Sequence, residues 1–487
     1  MRIAEQMERS GVRFGTSGAR GLVRQMTDRL CYAYTLGFLQ YMEGRGEIRP
    51  GDAVALGGDL RPSTDRIVAA AARAASDRGY RPIDCGRLPT PALALFGLQR
   101  GAVTVMVTGS HIPADRNGIK YTRTDGEILK EDEAGIRAQD VSVPDGLFAA
   151  DGALRAAPPA CERSDEARAL YAQRYLDFFG AGCLAGQRVG VYLHSAAGRD
   201  LFVEILSGLG AEVTALGRSQ DFVAVDTEAI RPADVESARA WAAEHGLEAI
   251  VSSDGDSDRP MVADERGIWM RGDVCGILCA AQLGADAVVA PVSCNTALER
   301  CGLFAHTART RIGSPWVIEK MRELARAGAA CVVGYEANGG FLLGSDVERD
   351  GRRLAALPTR DAVLVHVLVL LRARERGLAL SRLRDELPAR FTYSDRLVDF
   401  PQQLGFAKLD ELHRDRAAVE ALFGGAFGPL ASLDSTDGLR ITFAGDEVIH
   451  LRPSGNAPEF RCYTEADSEA RAMQINQMAM DIVRTWR

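Results

Sequence analysis

One serine, three alternating aspartates and a few arginine-bearing glycine loops are the parts of this chain able to handle a phosphate group. Ser110 lies in Thr108-Gly109-Ser110-His111-Ile112-Pro113, directly after the apolar run Ala102-Val103-Thr104-Val105-Met106-Val107. Such a β-branched run forms a strand covered on both faces. Gly109, Pro113 and Asn117-Gly118 then open the backbone and leave the hydroxyl at a loop tip. That hydroxyl reads as a phosphoryl carrier, although one Gly-Ser after a strand is also an ordinary turn. The second cluster is Asp254-Gly255-Asp256-Ser257-Asp258-Arg259. Oxygen-only donors suit a hard cation, and magnesium takes a few carboxylates plus a phosphate oxygen. Asp254, Asp256, Asp258 and Glu265 also fit the carboxylate register of a calcium-binding helix-loop-helix. Arg259 stands where that loop demands glycine, however, and Leu247-Glu248-Ala249-Ile250-Val251-Ser252-Ser253 reads as a strand where it demands a helix. A solvated acidic turn is the remaining reading of this segment alone.

Three further loops are rich in glycine and polar side chains: Phe14-Gly15-Thr16-Ser17-Gly18-Ala19-Arg20-Gly21, Gly334-Tyr335-Glu336-Ala337-Asn338-Gly339-Gly340 and Arg452-Pro453-Ser454-Gly455-Asn456-Ala457-Pro458. The last combines an arginine fork, a hydroxyl and freed backbone N–H groups, a set able to wrap a phosphate. Together, in this order, the five segments resemble the α-D-phosphohexomutase superfamily over nearly the whole chain. The resemblance implies that Ser110 is phosphorylated and that magnesium sits on Asp254, Asp256, Asp258 and Ser110, with Arg259 a fixed cation beside it. It makes Arg20 and Lys120, with His111, the candidates for proton handling; arginine being a poor base at its normal pKa, Lys120 is the physical preference. It assigns Glu336 and Asn338 to sugar hydroxyls, Asn338 standing where serine is usual. Gly313 and Ser314 fall in its specificity loop. Arg452, Ser454, Gly455 and Asn456 fall in its phosphate loop, Asn456 and Ala457 replacing a frequent Thr-Glu pair. The implied activity is interconversion of hexose 1-phosphate and hexose 6-phosphate, of mannose and/or glucose, activated by glucose 1,6-bisphosphate or an equivalent. A phosphoglucosamine mutase is the alternative within the class; a sugar-phosphate phosphatase and a non-catalytic phosphosugar-binding protein lie outside it.

At 487 residues the chain exceeds one core and fits three or four domains. Lys plus Arg number 58 against 66 Asp plus Glu, a net charge of -8 that argues against a nucleic-acid partner. The ten cysteines follow no disulfide framework, and Cys275 and Cys279 lack a second pair to complete a zinc site. They read as reduced core thiols of a cytoplasmic protein. Neither a signal peptide nor an anchor is expected, and the apolar run from Ala362 to Leu371 is too short for a bilayer and reads as a buried helix. No partner protein is indicated.

The elements that must position these loops follow a repeating pattern: an apolar strand, a loop of small residues, then a helical stretch. The strands at Val54-Ala55-Leu56, Val103–Val107, Arg188–Leu193, Ala249–Val251, Ala287–Ala290 and Cys331–Val333 each empty into such a loop. The expected fold class is α/β, three successive α/β domains with mixed sheets plus a C-terminal α+β domain, arranged around a central cleft. The boundaries expected are 1–157 for the phosphoserine loop, 158–268 for the metal loop, 269–387 for the sugar loop and 388–487 for the phosphate loop. The Ala-Pro-rich stretch 156–160 is the best linker. The closing helix, from about Ser468 to Trp486, is expected to bury Met473, Ile475, Met478, Met480 and Ile482.

Overall fold

Three times along the chain, three parallel strands are followed by a fourth that doubles back. In the computed structural model, which describes residues 1–15, 18–155, 160–454 and 459–486, the first unit orders Arg81–Arg87, Ala53–Gly58, Val103–Val107 and Arg116–Arg123. The second orders Glu212–Arg218, Arg188–His194, Ala249–Ser253 and Pro260–Ala263; the third orders His306–Thr310, Ala287–Pro291, Val332–Tyr335 and Phe341–Leu343. In each, the last strand pairs antiparallel and the others parallel. Val103–Val107, Ala249–Ser253 and Ala287–Pro291 are buried at every residue, as continuous apolar strands between helix layers must be.

The strand-loop-helix pattern holds for the first strand of each unit, whose loops lead to the helices Thr64–Asp77, Arg199–Gly208 and Ala297–Arg300. It fails at the three candidate site loops. After Ser110, after the aspartates and after Glu336 the chain enters an antiparallel strand instead of a helix. The returning segments, such as Pro260-Met261-Val262-Ala263 and Phe341-Leu342-Leu343, are short apolar runs of strand length without helical periodicity. Each site loop is therefore a hairpin tip.

The first sheet also takes in Arg13–Phe14, Ala19–Leu22 and Gly126–Glu127, and Glu162–Arg163 beyond residue 157. Residues 156–159 of the expected linker lie outside the described residues. The fourth unit is an antiparallel sheet ordered Phe391–Val398, Glu459–Ala466, Val448–Pro453, Leu439–Phe443 and Leu430–Asp434, with the helix Glu469–Arg484 packed on it. In that helix Ile475 and Met480 are buried and Met478 and Ile482 pack against the core, but Met473 is 48% exposed. It shares a flank with the buried Met480 but lies two turns nearer the start of the helix, where that flank is uncovered.

One apolar core runs from Ala55 through Val191 and Val288 to Leu387 and so joins the first three units, whereas the fourth has a separate core around Phe423, Ile449 and Phe460. The helix Ala362–Arg376 is buried from Ala362 to Ala373 within the shared core. Among the described residues none of the ten cysteines is in a disulfide, and no helix is long and apolar enough to cross a membrane.

Candidate active site

Ser110 is held at its hairpin tip in a left-handed conformation, φ 56°, which costs a non-glycine residue energy and needs support from its surroundings. The support is a buried ion pair. Arg61 lies 3.0 Å from Asp59 and sends its remaining guanidinium N–H groups into the loop, to the carbonyls of Ser110 (2.9 Å), Ile112 (2.5 Å), Pro113 (2.7 Å) and Arg116 (3.0 Å). Asp59 accepts from the Thr108 and Thr64 hydroxyls at 2.7 and 2.8 Å. A Cβ at Gly109 would lie 2.6 Å from the Arg61 guanidinium carbon, so this approach requires glycine.

From this loop the Ser110 hydroxyl donates to Asp254 Oδ2 at 2.5 Å, and His111 Nδ1 stands 3.2 Å from the same Oγ. Gly255 permits the approach: a Cβ there would meet the Ser110 carbonyl at 2.8 Å. Asp254, Asp256 and Asp258 are fully buried, and one carboxylate oxygen from each falls within 4.8 Å of the others. Lys120 donates to Oδ2 of both Asp256 and Asp258 at 2.6 Å, and Thr90 donates to Asp256 Oδ2 at 2.5 Å. Oδ1 of Asp256 and Oδ1 of Asp258 have no hydrogen-bond partner. Buried, unpartnered carboxylate oxygens beside a serine hydroxyl fit a hard divalent cation of the magnesium type.

Burial, with Asp256 and Asp258 beside it, drives the Asp254 pKa well above the usual carboxylate range. Burial also acts on Asp258, but Arg360, Lys120 and Arg259 overcome it and hold that carboxyl below its ordinary value. His111 is pushed well below an ordinary histidine by burial first, then by Arg259, Arg20 and Arg461. Arg20, opposite Gly118 on the paired strand, is lowered to about 10 by burial and by Arg259. It thus remains a cation at neutral pH. Arg259 Nε lies 3.9 Å from both Asp254 and Asp258 and makes no hydrogen bond.

The third unit joins this cluster through Arg360. Its guanidinium reaches Asp258 Oδ2 at 2.9 Å, Glu336 Oε2 at 3.1 Å and Ser314 Oγ at 3.2 Å. Ser314, following Gly313 at a helix start, donates its hydroxyl to Glu127 of the first unit at 2.8 Å. Asn338 turns its side-chain oxygen to the Gly340 N–H at 2.9 Å, and its backbone carbonyl accepts from Thr227 at 2.7 Å. In the fourth unit Arg452 pairs with Asp437 at 2.9 Å, and Asp437 also accepts from the Ile312 N–H of the third unit at 2.9 Å. Ser454 is buried, and Gly455 and Asn456 lie outside the described residues. Ser110, His111, Lys120, the aspartates, Ser314 and Glu336 therefore form one bonded cluster, with Arg259 and Arg20 in its field. Arg452 connects to it through the 311–313 loop.

Sequence models of phosphoglucomutase/phosphomannomutase domains match along this chain: α/β/α domain I at residues 11–140, II at 173–267, III at 271–391 and the C-terminal domain at 407–482. A phosphomannomutase of Salmonella muenchen is 43% identical over 98% of this chain and 97% of its own. The chain belongs to the phosphoglucomutase/phosphomannomutase family. A phosphoglucosamine mutase of Symbiobacterium thermophilum is 28% identical over 97% of this chain and 98% of its own. In fold the chain is similar to a phosphoglucomutase/phosphomannomutase family protein from Burkholderia thailandensis, with a TM-score of 0.72, 20% identity and 98% of each chain covered. Membership in this mutase family makes the chain an isomerase that works by intramolecular phosphoryl transfer.

Sequence reasoning missed three parts of this mutase site. Asp59 and Arg61 carried a signal, two opposite charges two residues apart just after a buried strand, but the segment was read only as the loop into which the strand Val54-Ala55-Leu56 empties. Arg461 resembles the many surface arginines in sequence; in the structure its Nε is buried without a hydrogen-bond partner and its charge acts on His111. Arg360 has no local motif, because its partners Asp258, Ser314 and Glu336 come from distant segments.

Proposed function

We propose that the chain interconverts hexose 1-phosphates and hexose 6-phosphates, with mannose and glucose phosphates as substrates, through a phosphoserine at Ser110 and a bisphosphorylated sugar. The observation that carries this reading is the Ser110 hydroxyl 2.5 Å from Asp254 within a buried triad in which Oδ1 of Asp256 and Oδ1 of Asp258 lack hydrogen-bond partners. Asp254, Asp256 and Asp258, with an oxygen of the Ser110 phosphate, would hold magnesium, which when bound supplies Lewis-acid charge stabilisation to the transferring group.

The chain's own residues do the rest. In the forward step the bond from phosphorus to Ser110 Oγ breaks as a bond to the free sugar hydroxyl oxygen forms, and the proton that this oxygen loses is in net taken up by Ser110 Oγ, which ends as a hydroxyl; the return step reverses this with the other phosphate. Lys120, Arg259 and Arg20 place fixed positive charge where the transferring oxygens gather negative charge. The geometry supports His111 for the proton at Ser110: burial and the neighbouring arginines keep its imidazole neutral, and Nδ1 is 3.2 Å from Oγ. Lys120, which the sequence favoured as base, already donates to two carboxylates and acts as a cation. Glu336 and Asn338 read ring hydroxyls common to both orientations of the sugar. Arg452, Ser454, Gly455 and Asn456 hold the non-reacting phosphate. The fourth unit, with its own core, moves as a body to let the bisphosphate turn around.

The test is conversion of mannose 1-phosphate, glucose 1-phosphate and glucosamine 1-phosphate to their 6-phosphates, with magnesium and a trace of glucose 1,6-bisphosphate. Mannose and glucose phosphates turning over, with the glucosamine compound at least tenfold slower, is the expected result. The reverse ranking would make the chain a phosphoglucosamine mutase, and inorganic phosphate as the main product would make it a phosphatase.

A further inference from the structure

Arg360 is the side chain through which the metal loop and the sugar loop touch. It is buried, with 3% of its side chain exposed, and its carboxylate partners are equally enclosed: Asp258 at 0% and Glu336 at 4%. Nε and one terminal nitrogen grip Asp258 Oδ2 at 3.0 and 2.9 Å, while the other terminal nitrogen serves Glu336 Oε2 at 3.1 Å and Ser314 Oγ at 3.2 Å. The adjacent Thr359 donates its hydroxyl to Glu127 Oε1 at 2.6 Å, the same carboxylate whose Oε2 takes Ser314. Gly340 leaves room for the stem: a Cβ there would lie 2.4 Å from Arg360 Cδ. A planar fork can bridge two carboxylates in fixed geometry, whereas a lysine ammonium supplies the same charge without that geometry.

We propose that Arg360 is a positioning residue that aligns the sugar-reading carboxylate of Glu336 with the metal-loop carboxylate of Asp258, and that its charge sets the cation affinity of the aspartate triad. The inference rests on the mutase reading above and deepens it. Its two effects separate by chemistry. Fixing Glu336 needs the guanidinium fork and shows in sugar recognition. The electrostatic effect needs only a positive charge beside Asp258, because that charge opposes a divalent cation bound to the same carboxylate.

The experiment compares the unaltered protein with Arg360→Lys and Arg360→Met in two measurements. One is Mn2+ binding without substrate, followed by electron paramagnetic resonance. The other is kcat and KM for mannose 1-phosphate at saturating magnesium. Arg360→Lys is expected to raise KM at least tenfold with kcat within about threefold, while Mn2+ affinity stays within twofold. Arg360→Met is expected to raise KM similarly and to tighten Mn2+ binding at least fivefold. In a Glu336→Gln background Arg360→Lys should add less than threefold to KM, since it acts through Glu336. A simple packing role would lower kcat and melting temperature and weaken Mn2+ binding in both variants, and that outcome overturns the proposal. KM unchanged in Arg360→Lys, or effects of Arg360→Lys and Glu336→Gln that multiply, also overturns it while leaving the mutase reading intact. No turnover by the unaltered protein overturns both.

Discussion

The first three units and the fourth present their candidate site residues on different foundations. The Ser110, aspartate and Glu336 loops rise from sheets that share one apolar core, and they are tied to each other by buried charge: Ser110 to Asp254, Lys120 to Asp256 and Asp258, Arg360 to Asp258 and Glu336. The phosphate loop rises from a sheet with its own core. Its border with the third unit is polar, built from the Thr296 N–H on Glu465 at 3.2 Å, Arg300 on Asp446 at 2.9 Å and the Ile312 N–H on Asp437, around a cavity of about 290 Å³ lined partly by Thr296, Arg309 and Arg440. Phosphoryl transfer needs the first arrangement, because misplacement by an ångström forfeits much of the rate. Under the proposed function, releasing and regripping a phosphate while the sugar turns needs the second.

The difference can be broken most severely from the cores. Phe423→Ala, in the separate core, is expected to destabilise the fourth unit by about 3–5 kcal/mol. Its unfolding should then appear as an early, separate transition in calorimetry, with Mn2+ binding to the aspartates retained through it. Phe202→Ala, in the shared core and in ring contact with His366 at 5.1 Å, should instead lower the main transition and take Mn2+ binding with it. One joint transition in Phe423→Ala would mean that the two cores are not independent.

Acid sharpens the contrast next. His194 and His366 donate Nε2–H to the carbonyls of Ser253 and Ser252, at 2.9 and 2.8 Å, gripping the strand that ends in the aspartate loop. Burial pushes both imidazoles down to about 4, and it does the same to His450 in the fourth unit. Their folded pKa values lie below the unfolded value near 6.5, so the unfolded chain binds more protons. Stability therefore falls as pH drops from about 6.5 towards 4, by roughly 3 kcal/mol per imidazole. His111, also held down by burial, makes three such groups against one, so the three-unit body should lose its melting temperature more steeply than the fourth unit across pH 7 to 4.5. His366→Gln should flatten the dependence of the body alone. A slope unaltered in that variant would remove His366 from this explanation.

The smallest of the three effects is local. Under the proposed function Arg452→Ala removes a charge-assisted phosphate contact of about 1.5–3 kcal/mol, so KM for sugar phosphates is expected to rise roughly ten- to a hundredfold. The rigid body should be untouched, with Mn2+ affinity within twofold of the unaltered protein. Unchanged KM would take the phosphate role away from this loop.

Much of this was legible because the chemistry is local in sequence. Ser110 after its apolar run, the alternating aspartates and the arginine loop each carry their meaning within ten residues. The repeating strands were readable for the same reason. The hairpin return after each site loop was not, because a short apolar segment such as Phe341-Leu342-Leu343 has too little length to show a period. Asp59 with Arg61, and Arg360, escaped because their importance lies in burial and in partners far along the chain. Met473 shows the converse error, an apolar residue assigned to the core on type alone.

The central claim is that Ser110 carries the phosphate between two positions of one sugar. Its most direct test is peptide-resolved mass spectrometry of the protein after incubation with glucose 1,6-bisphosphate and magnesium, before and after addition of excess mannose 1-phosphate. The account predicts one phosphate, on the peptide containing Ser110, which the sugar monophosphate discharges with formation of a bisphosphorylated sugar. Phosphate on another residue, or turnover by Ser110→Ala at the unaltered rate, would contradict it.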